Sequence, residues 1–309
     1  MKTVENKLYA VVDANKKASV RGDFWALKLR NKEESIDAKI WHPASQIFPT
    51  ITPDMVIMVY KGALTEYQGS TYIDISEGTT VDLESLSTEE VASLIPVANF
   101  DINMKFAEMK SFIGKFVKNE EWKRFALNFI DDDEIKKIFL TTIGGKSIHH
   151  AYIGGLLEHT YACMRNVVAI QNANNYKINL DLAIVGALVH DIGKGREYNS
   201  GVSFSVTREG SLLGHIVIGI EMLVRFLDKS DLSQPEKDLL KHLIVSHHGQ
   251  LDYGSPKIPM SAEAELLHIV DLLDSRLNTV EIAVDKVEDI YEWTDPIRSR
   301  GYVRYMKTV

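Results

Sequence analysis

LAIVGALVHDIGK, residues Leu182–Lys194, is the stretch that decides the fold of the C-terminal half. Leu182 to Val189 carry no charge, so they read as a helix buried on all sides. The helix delivers His190 and Asp191 at its end, where Gly193 lets the chain leave at once. A carboxylate carried into such a setting is costly unless a cation or donor meets it. Asp191 is therefore expected to face one, and Lys194 lies three residues on.

Working outward, the same ligand chemistry recurs. His159, His190-Asp191, His215, His247-His248 and Asp271 each sit in a predicted helix or at its end. A lone His-Asp pair would mean little, but this series of hard and borderline ligands, with Lys194, points to a metal-dependent phosphohydrolase centre. His159 and Cys163 fall one turn apart on a helix through Tyr152 to Val168, with Cys163 expected in the core. His215 follows Ser211, a plausible N-cap, and opens an amphipathic helix with Ile216, Ile220, Leu223, Val224 and Leu227 as its apolar stripe. Adjacent helical residues point about 100° apart. His247 is accordingly the expected ligand, and His248 a second ligand or a phosphate contact. Asp271 stands among Ile269, Val270, Leu272 and Leu273, where closing a metal site would explain it. Asp274 reads as a supporting or surface residue, and His42, His242 and His268 as ordinary histidines.

The runs HHAYIGGLLEHT (His149–Thr160), LVHDIGK (Leu188–Lys194), EGSLLGHI (Glu209–Ile216), SHHGQLDYGSPKIP (Ser246–Pro259) and EAELLHIVDLLDS (Glu263–Ser275) resemble the HD-domain superfamily. More narrowly, the chain resembles the YhaM-type 3'-to-5' exoribonucleases, in which an oligonucleotide-binding (OB) fold precedes the HD domain. The resemblance implies His159, His190, Asp191, His215, His247 and Asp271 as ligands of two divalent ions bridged by Asp191, with Asp191, Lys194 and His248 as catalytic residues. It makes manganese the preferred ion; the mixed imidazole and carboxylate set also suits iron, cobalt or nickel. It further implies that His149, His150, Tyr253 and Ser255 position the terminal nucleotide, although His149-His150 could equally cap or pack a helix start. Gly144-Gly145-Lys146 departs from the family pattern. The implied activity is 3'-to-5' hydrolysis of single-stranded RNA, and of single-stranded DNA if tolerated, to nucleoside 5'-monophosphates. No GxxxxGK[ST] loop suggests phosphoryl transfer from a bound nucleoside triphosphate instead.

Residues 1–90 read differently. Phe24–Leu29, Ile36–Trp41, Met55–Tyr60 and Thr71–Ile75 are β-branched or aromatic runs with partial alternation, separated by polar turns. They predict a small β-barrel, and the resemblance makes it OB-like. Trp25, Trp41, Tyr60, Tyr67 and Tyr72 are its candidate base-stacking rings. Trp41 and Tyr72 are preferred, because Trp41 shares a face with Lys39 and Tyr72 with Asp74. Residues 91–145 read as a helical connector, with Asp131-Asp132-Asp133-Glu134 as an acidic first helical turn rather than a metal cluster. Residues 146–309 read as the HD domain and a C-terminal tail, in which Arg298, Arg300 and Arg304 alternate with Tyr302 and Tyr305. The expected fold class is thus multi-domain α+β, a small OB-like barrel followed by an all-α domain.

The net charge of -8 argues against coating nucleic acid by charge alone. Residues 1–75 hold ten Lys/Arg and nine Asp/Glu, so the remainder carries -9 and needs metal to approach phosphate. A single cysteine, the absence of a signal-peptide pattern and the absence of an apolar stretch long enough for a bilayer fit a cytoplasmic protein with no membrane partner. Oligomeric state is left open. Two other readings compete: a phosphohydrolase of nucleotides or cyclic dinucleotides with a regulatory barrel, and a nucleic-acid-binding replication accessory factor.

Overall fold

The computed structural model describes residues 3–67, 70–145, 150–199 and 201–309. Five strands, β1 (Thr3–Lys17), β2 (Phe24–Arg30), β3 (Ser35–Ile40), β4 (Val56–Tyr67) and β5 (Ser70–Val81), close into a barrel in the order β1-β2-β3-β5-β4. β3 and β5 pair parallel and the other neighbours antiparallel. This is the small barrel expected. Strand alternation sends Leu27, Leu29, Ile40, Ile57, Val59, Ile73 and Ile75 into its core.

β1 lacks clean alternation because both of its faces are covered. Tyr9 and Val11 enter the barrel, whereas Leu8 and Ala10 pack with Val56, Leu94 and Val202. Leu94 ends α1 (Thr88–Leu94), which starts on a reciprocal Ser87–Glu90 capping box. Val202 belongs to residues 198–207, which join residues 1–99 in the first compact unit. Asp54 holds that segment by accepting from Ser203 N at 3.1 Å, Ser203 Oγ at 2.6 Å and Ser205 Oγ at 2.5 Å.

The second unit, residues 100–197 and 208–309, is helical. It contains α2 (Ile102–Phe116), α3 (Glu120–Ile130), α4 (Asp133–Thr141), α5 (Gly155–Asn174), α6 (Leu180–Val189), α7 (Lys194–Glu197), α8 (Arg208–Leu227), α9 (Gln234–Ser246) and α10 (Ala262–Val284). The borders at 90 and 145 expected from sequence differ from this division. α2, α3 and α4 are no separate connector, since Met109, Trp122, Phe129 and Phe139 share one core with α5, α6, α8, α9 and α10. Asp132 caps α4 by accepting from Glu134 N and Ile135 N, which accounts for the acidic run.

α6 is buried at every position from Leu182 to Val189. Gly186 permits this, because a Cβ there would lie 2.2 Å from Leu243 on α9. α8 is long and apolar enough by length and composition to cross a bilayer, although Arg208, Glu209, Glu221 and Arg225 interrupt its apolar run. It is instead broken at Gly214 and lays Ile216, Ile218, Met222, Leu223 and Leu227 into the core. Beyond α10, antiparallel bridges between Trp293 and Met306 and between Ile297 and Val303 order the C-terminal segment.

Candidate metal centre

Five helices converge their expected ligands. His159 lies in α5, His190-Asp191 follows α6, His215 stands just after the break in α8, His247-His248 follows α9, and Asp271 lies within α10. His159 Nε2 is 3.2 Å from His190 Nε2, 3.4 Å from Asp191 Oδ2 and 3.3 Å from Asp271 Oδ1. His190 Nε2 is 3.3 Å from Asp191 Oδ2. At the other carboxylate oxygen, His215 Nε2 and His247 Nε2 each stand 3.6 Å from Asp191 Oδ1. Ligand atoms of His215, His247 and His248 lie within 4.8 Å of one another.

Each of these imidazoles is tied at Nδ1. His190 Nδ1 donates to Ala187 O at 2.9 Å, His247 Nδ1 to Ile244 O at 2.7 Å and His248 Nδ1 to Tyr253 O at 3.0 Å. His159 Nδ1 is 2.7 Å from Asp274 Oδ2, and His215 Nδ1 hydrogen-bonds Glu197 Oε1 at 3.4 Å. A ring whose single proton sits at Nδ1 keeps a lone pair on Nε2 for a metal ion. Burial opposes charge on His159, yet the carboxylates of Asp191, Asp271 and Asp274 raise its pKa well above the usual value, so the acids gathered there call for positive charge. Among the described residues, the buried Nε2 atoms of His215 and His247 have no hydrogen-bond partner. Two donors about 2.1 Å from one ion at a right angle stand about 3 Å apart. The residues fit divalent metal.

Lys194 Nζ donates to Asp191 Oδ2 at 2.5 Å and to Gly144 O at 2.6 Å. Burial opposes the Asp191 anion, yet Lys194 and His190 beside it hold its carboxyl well below the usual range. Asp271, also opposed by burial, is held low by His159. Burial pushes His248 down to about 4, reinforced by charge on His247 and His215, so its ring is neutral near pH 7. Burial pushes the Cys163 thiol up to about 11, which makes it a neutral packing group. Asp191, Lys194, His248, Tyr253, His268 and Asp271 line a pocket at this centre.

The expected nucleotide contacts fare differently. His149 lies outside the described residues. His150 is buried, with Nε2 2.8 Å from Asp274 Oδ2 and Nδ1 3.2 Å from Glu158 Oε2 and 3.0 Å from Tyr152 Oη. Its ring nitrogens are thus engaged behind His159 rather than offered to a substrate. Ser255 is buried and donates to Lys257 O at 2.7 Å, so it shapes its loop instead of facing a nucleotide. Tyr253 remains exposed and lines the pocket. In the barrel unit, Lys39 Nζ lies 4.0 Å from the Tyr72 ring centre, 5.3 Å from that of Trp41 and 5.8 Å from that of Tyr67. Trp41 stacks on Phe24 at 4.3 Å, whereas Trp25 is buried, its Nε1 donating to Phe48 O.

Asp274, for which the sequence left a supporting or a surface role open, stands between His150 and His159. Three other features escape the sequence. Glu197 stands behind His215, with no sequence signal that separates it from a surface acid. The helix bearing His215 starts at the break, where Gly214 adopts φ 70°, and not at Ser211. His268, expected to be ordinary, donates from Nδ1 to His247 O at 2.9 Å.

Residues 156–276, which hold all these ligands, match the HD domain family. The 3'-5' exoribonuclease YhaM of Bacillus subtilis (strain 168) is 30% identical over 270 residues, covering 86% of this chain and 82% of that protein. The chain belongs to the YhaM family. The YhaM exoribonucleases of Bacillus licheniformis, 29% identical over 294 residues with 91% and 88% of the two chains covered, and of Oceanobacillus iheyensis, 29% identical over 267 residues with 86% and 81% covered, are similar too. For this YhaM-family chain, the HD domain carries divalent-metal binding with it.

Proposed function

We propose that this chain is a metal-dependent 3'-5' exoribonuclease that releases nucleoside 5'-monophosphates from single-stranded RNA. The observation that carries the reading is the set of imidazoles anchored at Nδ1, with Nε2 of His159, His190, His215 and His247 each within 3.6 Å of the Asp191 carboxylate. Divalent ions held by His159, His190, Asp191, His215, His247 and Asp271 supply an activated water and neutralise phosphate oxygens. Manganese is the ion proposed, and iron, cobalt and nickel share its fit to mixed nitrogen and oxygen ligands.

The chain's own groups do the positioning. Asp191 presents Oδ2 to the His159–His190 side and Oδ1 to the His215–His247 side. Lys194 sets a fixed positive charge beside that carboxylate, suited to a phosphate or leaving oxygen. His248 is held by Tyr253 O and can meet the phosphate as a neutral ring, while the Tyr253 ring offers a face to the terminal base. The Lys39, Trp41 and Tyr72 cluster gives the barrel unit a cation and two stacking faces for the strand. Stacking on bases and charge on phosphate do not depend on the sugar, so single-stranded DNA is proposed as a second substrate. The buried thiol of Cys163 is compatible with the cytoplasm, where we place the protein.

Product analysis tests this reading. RNA incubated with the protein and manganese should yield 5'-mononucleotides from the earliest times, and a chelator should stop their release. Free nucleotides hydrolysed while RNA stays intact would favour the small-nucleotide phosphohydrolase instead.

A further inference from the structure

We infer that Glu197 is the positioning residue for His215 and controls the His215–His247–His248 side of the centre separately from the His159–His190 side. The inference rests on the metal-binding reading above. Glu197 ends α7, and its carboxylate holds both the main chain and the ring of one residue. Oε1 accepts from His215 N at 3.2 Å, while His215 Nδ1 lies 3.4 Å from Oε1 and 3.2 Å from Oε2. The non-helical turn at Gly214 favours this, because it places the His215 N–H at the start of a new helical segment, where a side-chain acceptor serves as a cap.

Close packing leaves the carboxylate little alternative. A Cβ on Gly193 would lie 2.0 Å from His215 O, and one on Gly210 would lie 2.4 Å from Glu197 O. Glycine at both positions lets α7 sit directly on the two segments of α8. The ring is thereby turned so that Nε2, buried and without a hydrogen-bond partner, faces Asp191 Oδ1 at 3.6 Å.

The other side is built on a different acid. Backbone carbonyls hold His190, His247 and His248 at Nδ1, whereas a side-chain carboxylate holds His159 through Asp274 and His215 through Glu197. Losing an outer carboxylate of this kind weakens metal binding about 10–100-fold. Because Asp274 and Glu197 engage different rings, removing one should weaken one cation and leave the other.

The test uses the full chain and its Glu197→Ala, Glu197→Gln and Asp274→Ala variants, titrated with manganese by calorimetry and with cobalt by visible absorption, with circular dichroism as a check of fold. The unmodified protein should bind two ions. Glu197→Ala should keep one ion at unchanged affinity and bind the second about 10–100-fold more weakly, with loss of part of the cobalt spectrum. Glu197→Gln, which retains an acceptor oxygen, should recover most of that loss. Asp274→Ala should weaken the other ion. Two ions bound by Glu197→Ala with unmodified affinity would overturn the assignment, as would equal weakening of both ions in the alanine and glutamine variants. An unmodified protein that binds no ion would refute the metal-binding reading itself, and this assignment with it.

Discussion

Lys194→Met removes the ammonium that joins Asp191 to Gly144 while nearly preserving side-chain length. In the protein without metal, Asp191 Oδ2 loses its 2.5 Å donor and Gly144 O its 2.6 Å donor. Taking one partner from a buried ion pair costs about 3–5 kcal/mol, since the remaining charge stays desolvated. In a helical unit of this size each kcal/mol moves the melting midpoint by about 2–4 °C, so the chelated variant should melt about 10 °C lower. With manganese bound, the carboxylate regains positive charge, and the deficit should fall to about half or less. Thermal melts followed by far-ultraviolet circular dichroism, with chelator and with saturating manganese, measure both differences. RNA hydrolysis by the loaded variant should fall about a hundredfold or more through loss of the fixed charge at the phosphate. A midpoint within about 2 °C of the unmodified protein in chelator, against the shift expected for a buried pair, would refute the reasoning. An undiminished deficit with manganese would refute it too.

Two further outcomes follow from other parts of the structure. Trp41→Ala should weaken binding of a long single strand about tenfold, the loss of one base-stacking face, while hydrolysis of a dinucleotide keeps its rate; fluorescence anisotropy and dinucleotide turnover separate the two. In metal-free protein, the lowered pKa of His248, about 4, means that the unfolded chain takes up this proton first as pH falls below 6.5. The stability contributed by its neutral ring is complete above pH 6.5 and is lost toward pH 4. Urea melts at pH 7 and pH 4.5 should therefore show a smaller acid loss in His248→Ala, and an unchanged loss would contradict the assignment.

The gathering of the candidate ligands was legible because carboxylates and imidazoles recur in apolar helices. An aspartate after Leu182–Val189 and another beside Val270 lack a partner in their own helices, so their residue type points to a tertiary one. The residues that aim those ligands are quieter. Glu197, Glu158 and Asp274 act by tertiary contact with His215, His150 and His159, and an acid at a helix end or on its flank carries no pattern that separates it from a solvated one. His150 and Ser255, expected as substrate contacts, show a related limit: polarity in a motif suggests exposure, whereas each is buried with polar atoms bonded internally. β1 was not legible as a strand because Leu8 through Val12 are buried on alternating faces by different partners, so the period-two pattern vanishes. The segment 198–207 could not be assigned to the first unit from sequence, since its attachment is made by Asp54 at a separation of about 150 residues.

The central claim is that RNA is degraded from its 3' end at the Asp191 centre. Its most direct test is digestion of a single-stranded RNA labelled at the 5' end, with manganese, by the unmodified protein and by Asp191→Ala. The unmodified protein should give a ladder of progressively shortened labelled products, and the variant should leave the RNA intact. Label released at once as a mononucleotide, RNA left whole by the unmodified protein, or an equal ladder from Asp191→Ala would contradict it.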